Sequence, residues 1–444
     1  MTSRGRSVAS HHEPVLDPRA QLPSGHDIAF PVREHACGNG LRALLLETHT
    51  APVLCVSIWY RVGSSDDPAG GTGMAHLLEH MMFKGSRNFP KGAYDQQLHV
   101  LGAMNNASTW LDRTNYYVLI GSDRYETALA LEADRLRGAI LSAEDLADER
   151  TVVLNELDQS RDDPATLLYE ELLANAFERH PYRCPVIGWR PDVERISIED
   201  LRAFYDRFYQ PANAFLVIAG DFDSERMIAD IERHFGRIEG SAVERDARPL
   251  EPAPAGPRRF RVSRTGGQEM LALGYPAAQR SAPEALHLDV LAQVLGHGRT
   301  SRLYRALIDS HRAVHVAAEN QSMPTDPFLF MVDLEPAPGV PVEEILRVYD
   351  EEVERLAREP LTEQEFDRAR KRARVEFVMR RDRVSALAFL LGEFEIAGGW
   401  QQLPTYLERL DAVTSEDVMR AAGRYLRADM RTLGHYVPGE GEVS

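Results

Sequence analysis

The sequence predicts an α+β fold built from two similar halves, each with a mixed sheet packed against helices. Strand-like and helix-like hydrophobic patterns follow one another through residues 26–238, and the same order of elements begins again in residues 259–444. Between these two domains, residues 239–258 lack a hydrophobic period and contain four prolines within nine positions, a composition typical of a linker. Residues 1–25 are polar and are predicted to form a flexible lead.

The elements of the first half follow from the period of their apolar residues. Residues 41–47 and 53–60 are predicted strands, and the second is almost continuously apolar, which indicates burial on both faces. Residues 102–110 and 113–120 are predicted to form a pair of strands. The other predicted elements are helices at 92–100, 123–157, 162–177, 197–209 and 224–235 and a strand at 214–219.

One stretch of the first half carries candidate chemistry. A glycine-rich turn at 70–73 leads into a helical pattern over residues 74–82. His76 and His80 lie four residues apart, so both imidazoles project from one face of this helix. Glu79 precedes the second histidine, where its carboxylate reaches a water on a metal without being a ligand. The spacing predicts two metal ligands and a general base; the alternative is a pair of buried structural histidines.

A catalytic zinc needs a third protein ligand, and a carboxylate on another helix is its expected source. Glu149 and Glu156 are seven residues apart, on one face of a predicted helix that begins at Ser142. One glutamate would bind the metal, while the other orients a histidine or the water. The residues alone leave open which glutamate has which role.

These residues resemble the M16 family of inverted zinc peptidases, which includes pitrilysin, insulysin and the mitochondrial processing peptidases. The resemblance rests on a His-x-x-Glu-His motif at 76–80 and on the two later glutamates. It implies that His76, His80 and Glu156 bind one zinc ion. Glu79 would be the general base and Glu149 a supporting carboxylate. Further matching segments are 82–85, 106–109, 112–116, 180–182 and 186–188.

Fold and activity follow from the same resemblance. Members of the family consist of paired halves, each with helices against a mostly antiparallel sheet. The implied activity is that of a zinc endopeptidase that cleaves short or unfolded peptides with a metal-activated water. The alternative is a non-catalytic structural or assembly subunit, like the core proteins of respiratory complexes that share this fold.

The strand predicted at 102–110 has small side chains, which suit the addition of a peptide as a further strand. On residue type alone, an ordinary edge strand is the favoured interpretation. The resemblance reverses this preference, because relatives hold their substrate beside the segment that matches Asn106 and Ala107. These two residues are therefore predicted to bind the peptide substrate.

The second half repeats the elements but not the candidate ligands. Residues 289–296 would match the helix of His76 and His80, yet they contain no histidine, so only the first half is predicted to hold the metal. The predicted elements are strands at 260–263, 270–275, 314–318, 328–334 and 432–437 and helices at 284–295, 301–308, 342–357, 362–379, 384–397, 402–410 and 415–425.

One segment of the second half departs from the family pattern. Many relatives carry there an arginine and a tyrosine that hold the substrate carbonyl, whereas this chain has Ile308 and His315 at the matching positions. An isoleucine donates no hydrogen bond. The departure predicts a heterodimer in which a zinc-less homologous M16 subunit supplies the Arg/Tyr pair and encloses a chamber with this chain.

Composition limits the other classes of partner. The formal net charge of -17 argues against nucleic acid, and no uncharged apolar run reaches the length of a membrane span. Residues 1–20 lack the apolar core of a secretory signal. Three cysteines without a CxxC pair favour a reducing compartment, so a cytoplasmic location is predicted.

Overall fold

The computed structural model describes residues 30–439, and the lead predicted at 1–25 lies outside this range. The first half contains a six-stranded sheet in the order β1-β2-β6-β3-β5-β4. Its strands are β1 (Val32–Ala36), β2 (Arg42–Glu47), β3 (Val53–Tyr60), β4 (Met104–Thr109), β5 (Thr114–Gly121) and β6 (Ala214–Gly220). Its helices are α1 (Met74–Met81), α2 (Ala93–Val100), α3 (Tyr125–Gly138), α4 (Ala143–Asp162), α5 (Pro164–Ala176), α6 (Arg190–Arg195), α7 (Ile198–Phe208) and α8 (Ser224–Phe235).

The second half contains a five-stranded sheet in the order β7-β11-β8-β10-β9. Its strands are β7 (Arg258–Thr265), β8 (Met270–Pro276), β9 (Ala313–Gln321), β10 (Leu329–Pro336) and β11 (Thr432–Gly439). Its helices are α9 (Glu284–Leu295), α10 (Val342–Arg358), α11 (Glu363–Met379), α12 (Val384–Ile396), α13 (Tyr406–Ala412) and α14 (Ser415–Tyr425), and a short π-helix spans Tyr304–Ile308.

The two sheets share one topology, which confirms the predicted fold class. Each sheet has one parallel pair, β2 with β6 and β7 with β11, and its other strands pair antiparallel. From the parallel pair outward, the order β2-β6-β3-β5-β4 of the first sheet corresponds to β7-β11-β8-β10-β9 of the second. The first sheet has one additional edge strand, β1.

Strand β1 is absent from the sequence prediction. Its segment, Val-Arg-Glu-His-Ala, has no alternation of apolar residues, because every residue of β1 is at least partly exposed. The strand forms through backbone pairing with β2 and through side chains that reach α8, including an ion pair of 2.8 Å between Arg33 and Glu225. Long-range contacts of this kind override a weak local preference.

Each half contributes a helix to the sheet of the other. Helix α5 of the first half packs on β8 and β11, and α12 of the second half packs on β3 and β6. Leu168 and Leu172 of α5 therefore share a core with Tyr436, and Leu390 of α12 shares one with Trp59.

The segment between the halves contacts both of them. Residues 236–257 form neither helix nor strand. Arg248 pairs with Asp112 of the first half at 2.6 Å and with Asp326 of the second half at 3.0 Å. Glu251 accepts hydrogen bonds from three consecutive backbone N–H groups at 178–180. These contacts tie the segment to the halves that it connects.

Gly392 provides a test of the contact between α12 and the first sheet. A Cβ at this position would lie 2.2 Å from Cε2 of Trp59, which is fully buried. We expect Gly392→Ala to destabilise the protein by about 1–3 kcal/mol, because the ring has no space to move. The measurement is thermal unfolding, with Gly423→Ala on α14 as the control, since its nearest foreign atom would be 3.6 Å away. Equal melting temperatures for the two variants would contradict the tight packing.

Among residues 30–439, every helix is too short or too polar for a membrane crossing. The cytoplasmic location stays a prediction.

Candidate metal centre

The start of α1 is fixed by a buried network. Gly73 has a positive φ of 86° immediately before the helix. The carboxylate of Asp67 accepts hydrogen bonds from the backbone N–H groups of Gly73 at 2.7 Å and Ala75 at 2.9 Å. A carboxylate at this end satisfies free N–H groups and interacts favourably with the helix dipole. These hydrogen bonds fix the first turn of the helix that carries His76 and His80.

A second glycine explains why the segment 186–188 accompanies this helix. Gly188 also has a positive φ, 87°, and a Cβ there would lie 2.4 Å from the carbonyl oxygen of Thr72. A Cβ on Gly73 would lie 2.5 Å from the carbonyl oxygen of Ile187. Two backbone segments approach this closely only where neither carries a side chain. The loop at 185–189 therefore packs directly against the start of α1.

His76, His80 and Glu156 lie close together. Oε2 of Glu156, on α4, is 3.9 Å from Nε2 of His76 and 3.6 Å from Nε2 of His80. Ligand atoms bound at about 2.1 Å to a tetrahedral ion are about 3.4 Å apart. The Glu156 oxygen is therefore within about 0.5 Å of this separation from each imidazole nitrogen. The ligand atoms of all three residues lie within 4.8 Å of one another, and two nitrogens with one carboxylate suit zinc.

Glu149 lies on the other side of His80. Its Oε1 is 3.0 Å from Nδ1 of His80, and Lys84 forms an ion pair with the same carboxylate. Because an ionised carboxylate only accepts, Nδ1 carries the proton and Nε2 keeps its lone pair facing Glu156. Glu149 is buried, whereas the Glu156 side chain is 48% exposed. The two glutamates are two turns apart on α4 and therefore have different neighbours.

The contact between Glu149 and His80 leads to a prediction. We expect Glu149→Gln to weaken metal affinity by about 10–100-fold, because the imidazole loses its charged partner and part of its basicity. Zinc titration against a competing chelator measures the change. Glu144→Gln, at an exposed position in the first turn of α4, is the control. Unchanged affinity in Glu149→Gln would contradict this supporting role.

Glu79 is beside the three residues but faces another neighbour. Its Oε2 accepts a hydrogen bond of 2.5 Å from the hydroxyl of Thr109 on β4. Burial raises the pKa of Glu79 above its ordinary value, and the Thr109 hydrogen bond and His80 oppose this shift. A carboxylate whose pKa moves toward neutrality both accepts and returns protons more readily.

A groove of about 590 Å³ runs past these residues along β4. Asn106 and Ala107 line it, and β4 is the edge of the first sheet. The Asn106 side chain accepts a hydrogen bond of 2.9 Å from the Ala107 N–H, so this N–H group is already paired. A peptide that bound to this N–H would have to displace the carboxamide.

The second half contains a helix pair that corresponds to α1 and α4. Helix α9 packs on β9 and α11 as α1 packs on β4 and α4. Gln293 of α9 donates a hydrogen bond of 2.8 Å to Glu376 of α11, where the first half has His80 beside Glu149. Within residues 30–439, both groups of three candidate metal ligands belong to the first half.

Ile308 and His315 lie away from the groove. The described groove lining falls within residues 76–187, all in the first half. Ile308 is half-buried in the short π-helix, and His315 is exposed on β9. The strand that carries His315 nevertheless contacts a residue of the groove. The hydroxyl of Tyr169, which lines the groove, donates a hydrogen bond of 3.3 Å to the side chain of Gln321 at the end of β9.

Two further residues contact the acidic side chains of this site. Thr109 holds Glu79, and Lys84 pairs with Glu149. Lys84 lies beyond Met81, the last residue of α1, so a helical spacing of four from His80 does not account for its contact with Glu149. The contact between Thr109 and Glu79 joins a strand to a helix and has no local signal.

Comparison with known proteins identifies the family. The model of "Insulinase (Peptidase family M16)" matches residues 42–189, and that of "Peptidase M16 inactive domain" matches residues 195–373. An uncharacterised zinc protease of Mycobacterium bovis is 30% identical over 415 residues, which cover 91% of this chain and 92% of the relative. The chain belongs to the M16 peptidase family. All the predicted site residues fall within the first M16 match, and the inactive-domain match includes α9, whose residues 289–295 contain no histidine.

Two further comparisons support the M16 assignment. Zinc protease PqqE of Helicobacter pylori is 28% identical over 400 residues, which cover 89% of this chain and 90% of that protein. The crystal structure of a protease from Helicobacter pylori superposes with a TM-score of 0.86 at 26% identity, over 92% of this chain and 99% of that one. This chain thus aligns with proteins that are named zinc proteases, over nearly the whole length of both chains.

Proposed function

We propose that this chain is the zinc-bearing subunit of an endopeptidase that hydrolyses short or unfolded peptides. The observation that carries the proposal is the approach of His76, His80 and Glu156, with Glu79 next to them, in a groove beside an edge strand. His76, His80 and Glu156 would hold one zinc ion. The names of the M16 relatives support zinc as the metal.

The residues of the chain divide the chemistry among them. Zinc, when bound, supplies a Lewis acid that polarises the peptide carbonyl and acidifies a water. Glu79 accepts the proton of the attacking water and returns it to the departing amine, so it is unchanged after one turnover. Glu149 keeps the proton of His80 on Nδ1, which leaves Nε2 free as a ligand. Thr109 orients the Glu79 carboxylate through its hydroxyl.

Substrate class follows from the edge strand. A peptide that adds to β4 would pair through its main chain, and main-chain pairing accepts many sequences. Asn106 and Ala107 would contact the peptide, with the Asn106 carboxamide moving off the Ala107 N–H. Such pairing requires an extended chain, so folded proteins are excluded and short or unfolded peptides are favoured.

The proposal includes a second, homologous subunit. A tetrahedral transition state needs a donor for its developing negative charge besides the metal. The described lining of the groove contains neither arginine nor any residue of the second half. A zinc-less M16 homologue that supplies an arginine and a tyrosine would complete the site as a heterodimer.

The test combines metal analysis with peptide assays. We expect about one zinc per chain by elemental analysis. The purified chain should cleave an unstructured fluorogenic peptide weakly, and mixing it with the homologous subunit should increase the rate by about 10²–10³-fold. Full activity of the chain alone would overturn the heterodimer, and a chain without affinity for zinc would instead be a structural or assembly subunit.

A further inference from the structure

A second group of candidate metal ligands lies at the opposite edge of the first sheet. His35 is on edge strand β1, Cys37 follows that strand, and Glu232 is on α8. One donor atom from each residue lies within 4.8 Å of those of the other two. Strand β4 and the candidate peptidase site are at the other end of the strand order. The two groups therefore belong to separate parts of the same domain.

The backbone around this second group is held in place. Cys37 donates its N–H to the carbonyl oxygen of Leu41 at 2.8 Å, which closes the turn between β1 and β2. Asn39, in the same turn, donates hydrogen bonds to the carbonyl oxygens of Phe235 at 2.8 Å and Ile238 at 2.9 Å, at the end of α8. The thiol and the carboxylate are thus brought together by contacts that do not involve either of them, and such preorganisation lowers the cost of binding an ion.

The donor set matches a soft or borderline transition metal. Thiolate, imidazole and carboxylate are the three ligand types that zinc accepts in proteins. Nε2 of His35 lies 2.7 Å from Oε1 of Glu232, so an ion would replace this hydrogen bond and separate the atoms to about 3.3 Å. Glu232 can make this movement, because its side chain is 43% exposed. Cys37 is only 5% exposed, so the thiol is buried, whereas the side chains of His35 and Glu232 are partly exposed.

We propose that His35, Cys37 and Glu232 form a second zinc site, which links edge strand β1 to α8. Three protein ligands leave a fourth position for water, and two of the three side chains, His35 and Glu232, are partly exposed to solvent. The ion would stabilise a strand that has a weak intrinsic preference for its conformation. The site is independent of the proposed peptidase chemistry, because it shares no ligand with His76, His80 or Glu156.

Cobalt(II) distinguishes the two sites, since only the second contains a thiolate. A thiolate bound to cobalt gives a near-ultraviolet charge-transfer absorption that nitrogen and oxygen ligands lack. In full-length protein with His76→Ala and His80→Ala, we expect this absorption to persist with about one cobalt per chain. Added zinc should abolish the absorption and raise the melting temperature.

Two further variants in that background complete the test. Cys37→Ser should lose the absorption and the bound cobalt, whereas Cys184→Ser, which removes a thiol elsewhere, should keep both. If Cys37→Ser fails to fold, His35→Gln keeps the thiol and should weaken cobalt binding by at least about 10-fold. No thiolate absorption in the His76→Ala/His80→Ala protein would overturn the second site, as would an absorption that survives Cys37→Ser.

Discussion

Glu79→Gln is expected to lower kcat for peptide hydrolysis by about 10²–10⁴-fold, because an amide cannot accept the proton of the attacking water. The substitution keeps the size of the side chain, and the amide oxygen still accepts the hydrogen bond from Thr109. Zinc content should be unchanged, since Glu79 is outside the group of three ligand atoms. The rate is measured after mixing the chain with the proposed homologous subunit, and zinc is measured on the same preparation.

Thermal unfolding should show whether Glu79→Gln loses activity because the general base is missing or because the protein unfolds. Burial raises the pKa of Glu79 in the folded protein above its value in the unfolded chain. The ionised carboxylate therefore lowers the free energy of unfolding at pH values above the folded-state pKa, and this loss disappears as the pH falls through that pKa. The metal-free Glu79→Gln protein should therefore melt no lower than the unsubstituted protein near neutral pH. Glu170→Gln is the matched control, because Glu170 also lines the groove but belongs to no ligand group. Normal turnover by Glu79→Gln would exclude it as the general base.

Glu156→Ala is expected to lose nearly all bound zinc and, with it, peptidase activity. Two histidines without the carboxylate leave an open site with too few ligands to retain the ion. The Glu156 side chain is 48% exposed, so its removal should change the free energy of unfolding by no more than about 0.5 kcal/mol. This makes it a cleaner test than His76→Ala, which opens a cavity at a largely buried ring.

Zinc is measured after dialysis against a weak chelator, with circular dichroism to verify the fold. His76→Ala should also lose the metal, and Glu170→Ala should retain it. If the second site at Cys37 holds zinc, the Cys37→Ser background removes its contribution to the total. Retention of zinc with unchanged affinity in Glu156→Ala, Cys37→Ser protein would show that the carboxylate is not a ligand.

The second half keeps a polar contact at the place that corresponds to the candidate site of the first half. Gln293 and Glu376 keep a hydrogen bond at the place where the first half has His80 and Glu149. The helix pair thus keeps a polar contact there with a glutamine in place of the histidine. Helix α5 packs on the second sheet and helix α12 on the first, and these contacts hold the second half against the half that carries the candidate site.

Local signals in the sequence were sufficient for much of this fold. Strands β3 and β6 are continuous apolar runs, and the start of α4 at Ser142 is confirmed by the hydrogen bond from Asp145 N–H to the serine hydroxyl. The period of a helix alone dictates that His76 and His80 share a face. Because the order of elements is repeated along the chain, the sequence also determined that the fold is duplicated.

Only the tertiary structure shows that the two glutamates have different neighbours. Glu149 and Glu156 are equivalent on a helical wheel, and the packing of α4 across α1 directs the first to Nδ1 of His80 and the second toward the Nε2 atoms. The same holds for β1 and for the group at Cys37, whose parts lie about 195 residues apart in the chain and meet only after the sheet has formed. Hydrophobic periodicity predicts individual helices and strands, because it depends on residues that are close together in the sequence. A contact between distant segments depends instead on how complete helices and strands pack.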